Sequence, residues 1–68
     1  MMKVAITGST GFVGGNIAES LAQLGFEVVG LARNVVKLPW EVRVVDFQDS
    51  ESITAGLVGC DAVIHCAI

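Results

Sequence analysis

Three glycines at three-residue intervals, Gly8, Gly11 and Gly14, fall within Thr7-Gly8-Ser9-Thr10-Gly11-Phe12-Val13-Gly14. Between a strand and a helix, such a run offers free backbone N–H groups to an anion. Gly8 makes the tight turn, Gly11 lets the backbone approach a pyrophosphate, and Gly14 lets the helix lie close to the strand. A nucleoside-triphosphate loop would need Gly-Lys-Ser/Thr, and none follows. Cys60, His65 and Cys66 are the other reactive side chains, but an extended segment between the two cysteines separates their sulfurs by roughly 20 Å at about 3.3 Å per residue. A disulfide needs Cα atoms within about 7 Å, and a structural zinc needs four ligands where His65 and Cys66 supply two. Two free, buried thiols in a reducing compartment are expected.

The elements that must hold the glycine loop are legible on either side of it. Residues 3–7 form a short apolar run closed by glycine, as expected of a strand buried on both faces. Residues 12–24 change to a helical period, with Val13, Ile17, Leu21 and Leu24 predicted to face inward and Gly25 to end the helix. Strands are predicted over residues 27–32, 42–45 and 62–66. The interval before the third strand is too short for a full helical crossover, so one helical turn over residues 34–37 and an irregular return through Pro39 are expected. Asp49 or Ser50 is predicted to cap a second helix over residues 51–58, with Ile53 and Leu57 inward and Gly59 at its end. Alternating strands and helices imply an α/β fold: a parallel sheet with right-handed crossovers, the first half of a doubly wound Rossmann fold with strand order 3-2-1-4. The switch point between strands 1 and 4 is where such sheets bind ligands. The glycine loop, residues 32–34 and residues 65–68 all fall at that edge, so dinucleotide binding is the expected role of the loop.

Composition limits the alternatives. Sixty-eight residues make at most one small domain, and a chain of this size buries only about 60% of its unfolded surface. Yet 53% of the residues are apolar and 16% charged, the balance of a protein interior and not of a disordered chain. The net charge is −3. The acidic excess lies in the second half, where Glu41, Asp46, Asp49, Glu51 and Asp61 outnumber Lys37 and Arg43. With no basic stripe, binding to nucleic acid or to an anionic membrane is not expected. No apolar run reaches the ~18–20 residues that span a bilayer, and the N-terminal run is too short for a signal peptide. A cytoplasmic location is the default expectation.

The first two glycines of the loop are one residue further apart than in the common dinucleotide fingerprint. With Thr7 before it, the loop resembles that of the extended and atypical short-chain dehydrogenase/reductases, which include the NAD-dependent epimerases and dehydratases. Val45-Asp46-Phe47-Gln48-Asp49 is similar to the Asp-x-x-Asp segment after the third strand of that family. Asp61-Ala62-Val63-Ile64-His65-Cys66-Ala67 is similar to its Asp-x-Val-Ile-His-x-Ala strand. The resemblance implies that Gly8, Thr10, Gly11, Phe12 and Val13 line the pyrophosphate, with Ser9 and Thr10 as hydroxyl donors. It implies that Asp46 accepts from the adenine amino group with Phe47 beside the ring, and that Cys66 and Ala67 run beneath the nicotinamide ribose with His65 close behind. His65 is read as a hydrogen-bonded structural residue, since the family places its proton donor elsewhere. Asp46 has a rival reading as a residue that only ends a strand.

Cofactor choice falls at the end of the second strand, where a carboxylate would bind the adenosine 2′-hydroxyl. Ala32-Arg33-Asn34 carries none. A guanidinium there favours NADP over NAD through paired hydrogen bonds to the 2′-phosphate, against the plainer reading of Arg33 as a solvated charge. The family's chemistry uses a Tyr and a Lys four positions later, and this chain contains no tyrosine. Residues 1–68 are therefore expected to be the N-terminal part of one NAD(P)-binding domain, truncated before its catalytic and substrate-binding regions, with no turnover of its own. A small carbonyl or sugar-derived substrate would be met only by the complete protein, and exposed sheet surface would promote self-association of the isolated chain. Three functions fit: a catalytic NADP-linked reductase, dehydrogenase or epimerase; a cofactor-sensing protein without chemistry; or a structural subunit that keeps the fold as a platform.

Overall fold

Apolar residues at consecutive positions of the first two strands can be buried only if both faces of the sheet are covered. The computed structural model, which describes residues 2–66, places them so. β1 (Lys3–Thr7) and β2 (Glu27–Ala32) lie at the centre of a four-stranded sheet, flanked by β3 (Glu41–Val44) and β4 (Ala62–His65). All pairings are parallel and the order is β3-β2-β1-β4, as the alternation of strands and helices predicts. The registers Val4↔Val28 and Val4↔Ala62 align the C-terminal ends of β1, β2 and β4 along one edge.

The helix α1 (Phe12–Gln23) covers one face of the sheet, where Val4, Ile6 and Val28 pack with Ala18. On the other face Ala5, Val29, Leu31 and Val45 pack with Leu57, just after α2 (Ser50–Gly56). Ile6, Leu31 and Val29 are the largest fully enclosed side chains, each worth about 1.5–3 kcal/mol of burial. Val44 and Val63 on the outer strands stay about half exposed, so the apolar excess is only partly covered among the described residues.

Four expectations need correction. The inward stripe of α1 is centred on Gly14 and Ala18, its buried residues, with Ile17 and Leu21 half-buried beside them. Val13 and Leu24 are 62% and 74% exposed. Small residues at the contact line let the helix axis approach the sheet, and this turns the larger neighbours outward. Residues 34–37 form no helical turn. Val35 and Val36 are β-branched and stiff, and Pro39 disfavours helical backbone at Leu38, so the segment stays irregular. The remaining differences are at element ends. β3 runs one residue earlier than expected, yet the Val45 N–H still donates to the Ala32 carbonyl at 2.8 Å and Val45 is buried. α2 begins at Ser50 and ends at Gly56, with Asp49 as its cap accepting from the Glu51 N–H at 3.0 Å.

Candidate functional site

β1 ends at Thr7, and Gly8 turns the chain with φ +72°, a left-handed conformation that favours glycine. The Gly11 N–H donates to the Gly8 carbonyl at 3.0 Å and closes the turn. Gly11 is the N-cap of α1 in extended conformation and supplies no side-chain acceptor, and the first turn holds no acidic residue. The leading N–H groups of a 12-residue helix are thus left for an outside acceptor, with the positive end of the helix dipole behind them. A Cβ at Gly14 would overlap the Gly8 carbonyl oxygen and lie 2.7 Å from its carbon. Glycine is what allows helix and loop to meet there.

A cleft of about 470 Å³ opens at this edge. Gly8 and Thr10 form one wall and His65, at the end of β4, stands beside them. Leu31, Ala32, Arg33, Asn34 and Val36 continue the wall past the end of β2, and Phe47 closes it after β3. Seven residues singled out from the sequence for their position therefore meet here: Gly8, Thr10, Ala32, Arg33, Asn34, Phe47 and His65. Gly11, Phe12 and Val13 stand exposed at the helix start, Phe12 at 87%. Asp46 is exposed one residue before Phe47. Its carboxylate Oδ1 accepts from the Gln48 N–H at 3.0 Å, and its own N–H donates to Ser52 Oγ at 2.8 Å. Cys66 is half-buried on the α1 face, and Ala67 lies outside the described residues.

Ser9 departs from its expected place. It is 2% exposed, and its hydroxyl is enclosed against Gly30 of β2 and does not line the cleft. His65 Nδ1 sits 2.7 Å from Thr7 Oγ1, and that hydroxyl also accepts from the Cys66 N–H at 3.1 Å. This bonding docks the imidazole on the end of β1 and fits a structural role for His65. Cys60 and Cys66 are free thiols packed on opposite faces of the sheet.

The charges of the cleft are simple. Among the described residues Arg33 has neither ion pair nor hydrogen bond, and it stands exposed on the cleft wall. Arg43 is committed elsewhere. Its Nε donates to Glu41 at 2.7 Å, and its Nη1 donates to the carbonyls of Gly56 at 3.0 Å and Val58 at 2.6 Å, at the end of α2. The Arg43 hydrogen bond holds the Glu41 carboxyl below its ordinary range, and the same bond raises Arg43 above its own. Sequence reasoning missed Val36 as a lining residue, Ser52 as the partner of the Asp46 N–H, and Trp40, which packs on the α1 face. Only the Asp46-to-Ser52 spacing carried a signal, a hydroxyl one turn into a capped helix.

A parallel sheet with a glycine turn, an uncapped helix start and a cleft at its switch point defines a Rossmann-type dinucleotide-binding fold. Residues 4–68 match the NAD dependent epimerase/dehydratase family, and the chain belongs to it. The sterol-4-alpha-carboxylate 3-dehydrogenase (decarboxylating) of Dictyostelium discoideum is 36% identical over 73 residues, 98% of this chain and 22% of its own length. The UDP-N-acetylglucosamine 4-epimerase of Bacillus cereus superposes with a TM-score of 0.88 at 36% identity, over 98% of this chain and 24% of that one. A short-chain dehydrogenase/reductase superfamily protein from Agrobacterium tumefaciens with bound NAD superposes with a TM-score of 0.82 at 26% identity, over 96% of this chain and 20% of that one. The chain spans 24% and 8% of the length of the first curated relatives it matches. Among the described residues no helix is long and apolar enough to cross a membrane.

Proposed function

We propose that residues 1–68 form the phosphate- and adenosine-binding part of an NADP-preferring oxidoreductase or epimerase/dehydratase that acts on a carbonyl or sugar-derived substrate. The observation that carries this reading is the uncapped start of α1 beside Gly8, opening on a cleft whose far wall holds the unpaired Arg33. The residues present suit a dinucleotide. Backbone N–H groups of residues 12–14 and the Thr10 hydroxyl would hold the pyrophosphate, Phe47 would lie against adenine, and Asp46 would accept from the adenine amino group. Arg33 holds the 2′-phosphate with paired donors. Cys66, just after β4, would lie beneath the nicotinamide ribose, as the family resemblance implies.

When bound, the nicotinamide supplies hydride transfer to or from a carbon of the substrate. These residues bind and orient it. With no tyrosine in the chain, the proton donor and the substrate pocket belong to the region beyond residue 68 in a protein of the length of its relatives. Equilibrium titration with NADPH and NADH tests the preference. NADPH should bind more tightly, and Arg33→Ala should weaken NADPH by about tenfold, the equivalent of ~1.4 kcal/mol, while leaving NADH nearly unchanged. Tighter NADH binding that persists in Arg33→Ala refutes it.

A further inference from the structure

Two buried polar atoms among the described residues have no hydrogen-bond partner, Ser9 Oγ and Trp40 Nε1. They belong to segments far apart in sequence, the glycine loop and the irregular return between β2 and β3, and they converge on one point. A Cβ at Gly30 would overlap Ser9 Oγ and lie 3.2 Å from Trp40 Nε1. The bare Cα of Gly30 therefore leaves room for both. Their hydrogen-bonding capacities are complementary, because an indole N–H can only donate and a hydroxyl can accept. Each orphaned buried group is costly, and a single bond between them satisfies the indole donor and gives the hydroxyl a partner.

We propose that Trp40 is a positioning residue for the glycine loop: a small side-chain rotation pairs its indole N–H, unpartnered as the structure stands, with the Ser9 hydroxyl in the space that Gly30 leaves open, tying the loop that receives the cofactor phosphates to the β2–β3 return. The indole also packs against the α1-side core, so the bond anchors the loop to a fixed body. Ser9 then serves the site from below, by holding Gly8 and Thr10 on either side of it at the cleft wall, and not by touching the ligand. The consequence for binding rests on the dinucleotide reading above, whereas the bond itself does not.

The test separates the two. In the protein without cofactor, the Trp40 indole N–H resonance is assigned by its loss in Trp40→Phe, which keeps an aromatic ring but removes the donor. Ser9→Ala should shift that resonance and speed its exchange with solvent, and Trp40→Phe should shift the Gly8 and Gly11 amide resonances. In NADPH titrations Ser9→Ala and Trp40→Phe should each weaken binding by about three- to tenfold, and the double variant no further than either alone. An indole resonance indifferent to Ser9→Ala, or fully additive losses of affinity, overturns the proposal. Wild-type protein that binds neither dinucleotide would refute the functional reading, and the cofactor-free spectra would still decide the bond.

Discussion

Gly14→Ala puts a methyl group where α1 crosses the glycine turn. The new Cβ would overlap the Gly8 carbonyl oxygen and sit 2.7 Å from Gly8 C and 3.2 Å from Ser9 N. Carbon atoms normally approach to about 3.5–4.0 Å, so the helix or the loop must retreat by roughly 1 Å. Every atom in the way is backbone, and no rotamer change relieves the overlap. Overpacking of this kind costs about 1–3 kcal/mol, and the rigid surroundings place it at the upper end. Against this, alanine gains about 1 kcal/mol over glycine in a helix. The net loss is about 2 kcal/mol, which in a domain of this size lowers Tm by ~8–16 °C. The displaced atoms are also those that shape the proposed phosphate cradle, so the affinity of the folded protein for NADPH should fall by at least tenfold. Gly25→Ala is the control. Gly25 lies at the opposite edge of the sheet with φ +94° and open space around its Cα, so alanine there costs ~1 kcal/mol of backbone strain and leaves affinity unchanged. Thermal melts and NADPH titrations of both variants decide the matter. A Gly14→Ala protein with unaltered Tm and unaltered affinity would refute the reasoning.

Arg43→Ala removes the donor that serves the Gly56 and Val58 carbonyls at the end of α2. With its side chain a quarter exposed, the expected loss is about 1–2 kcal/mol in urea denaturation, and a change within the ordinary surface range of about 0.5 kcal/mol contradicts the anchoring role. The partner carboxylate predicts a pH dependence. The Arg43 hydrogen bond depresses the folded-state pKa of Glu41 below 4.5, so its contribution is complete above that value and is lost as pH falls through the folded-state value. Glu41 is half exposed and the effect is small: the Tm difference between wild type and Glu41→Gln should be present at neutral pH and vanish in acid, and a difference that grows on acidification has the wrong sign. Ser52→Ala takes away the acceptor of the Asp46 N–H and should weaken NADPH binding by about three- to tenfold without loss of α2, checked by titration and circular dichroism.

The architecture was readable because its signals are local and repeated. Two-sided apolar runs mark β1 and β2, glycines stand at three turns of positive φ, and Asp49 announces α2. The switch-point cleft followed from topology alone. What escaped were features set by close approach. The inward line of α1 passes through Gly14 and Ala18 instead of the larger residues, since the helix lies nearer the sheet than a bulky stripe allows. Ser9 looked like a ligand for phosphate by its place in the motif, yet Gly30, distant in sequence, makes the space that encloses it. Trp40 was silent for the same reason, because nothing in its local sequence says which loop it meets. The cap of α2 needed a backbone angle to separate Asp49 from Ser50.

The segment from Arg33 to Trp40 joins these observations. It has no regular structure, so backbone hydrogen bonding contributes little to fixing it, and its two ends do different work. Arg33 stands at the cleft with its guanidinium unpaired, while Trp40 packs into the α1-side core beside Ser9. On the two proposals above, cofactor choice and loop positioning would lie on one connection, whereas the most enclosed side chains, Ile6, Val29 and Leu31, lie in β1 and β2. Substitutions along this segment should therefore alter affinity and the NADPH to NADH ratio more than they alter Tm. Substitutions of Ile6 or Val29 should do the reverse, since neither side chain lines the cleft and truncating either to alanine leaves a core cavity costing about 2–5 kcal/mol.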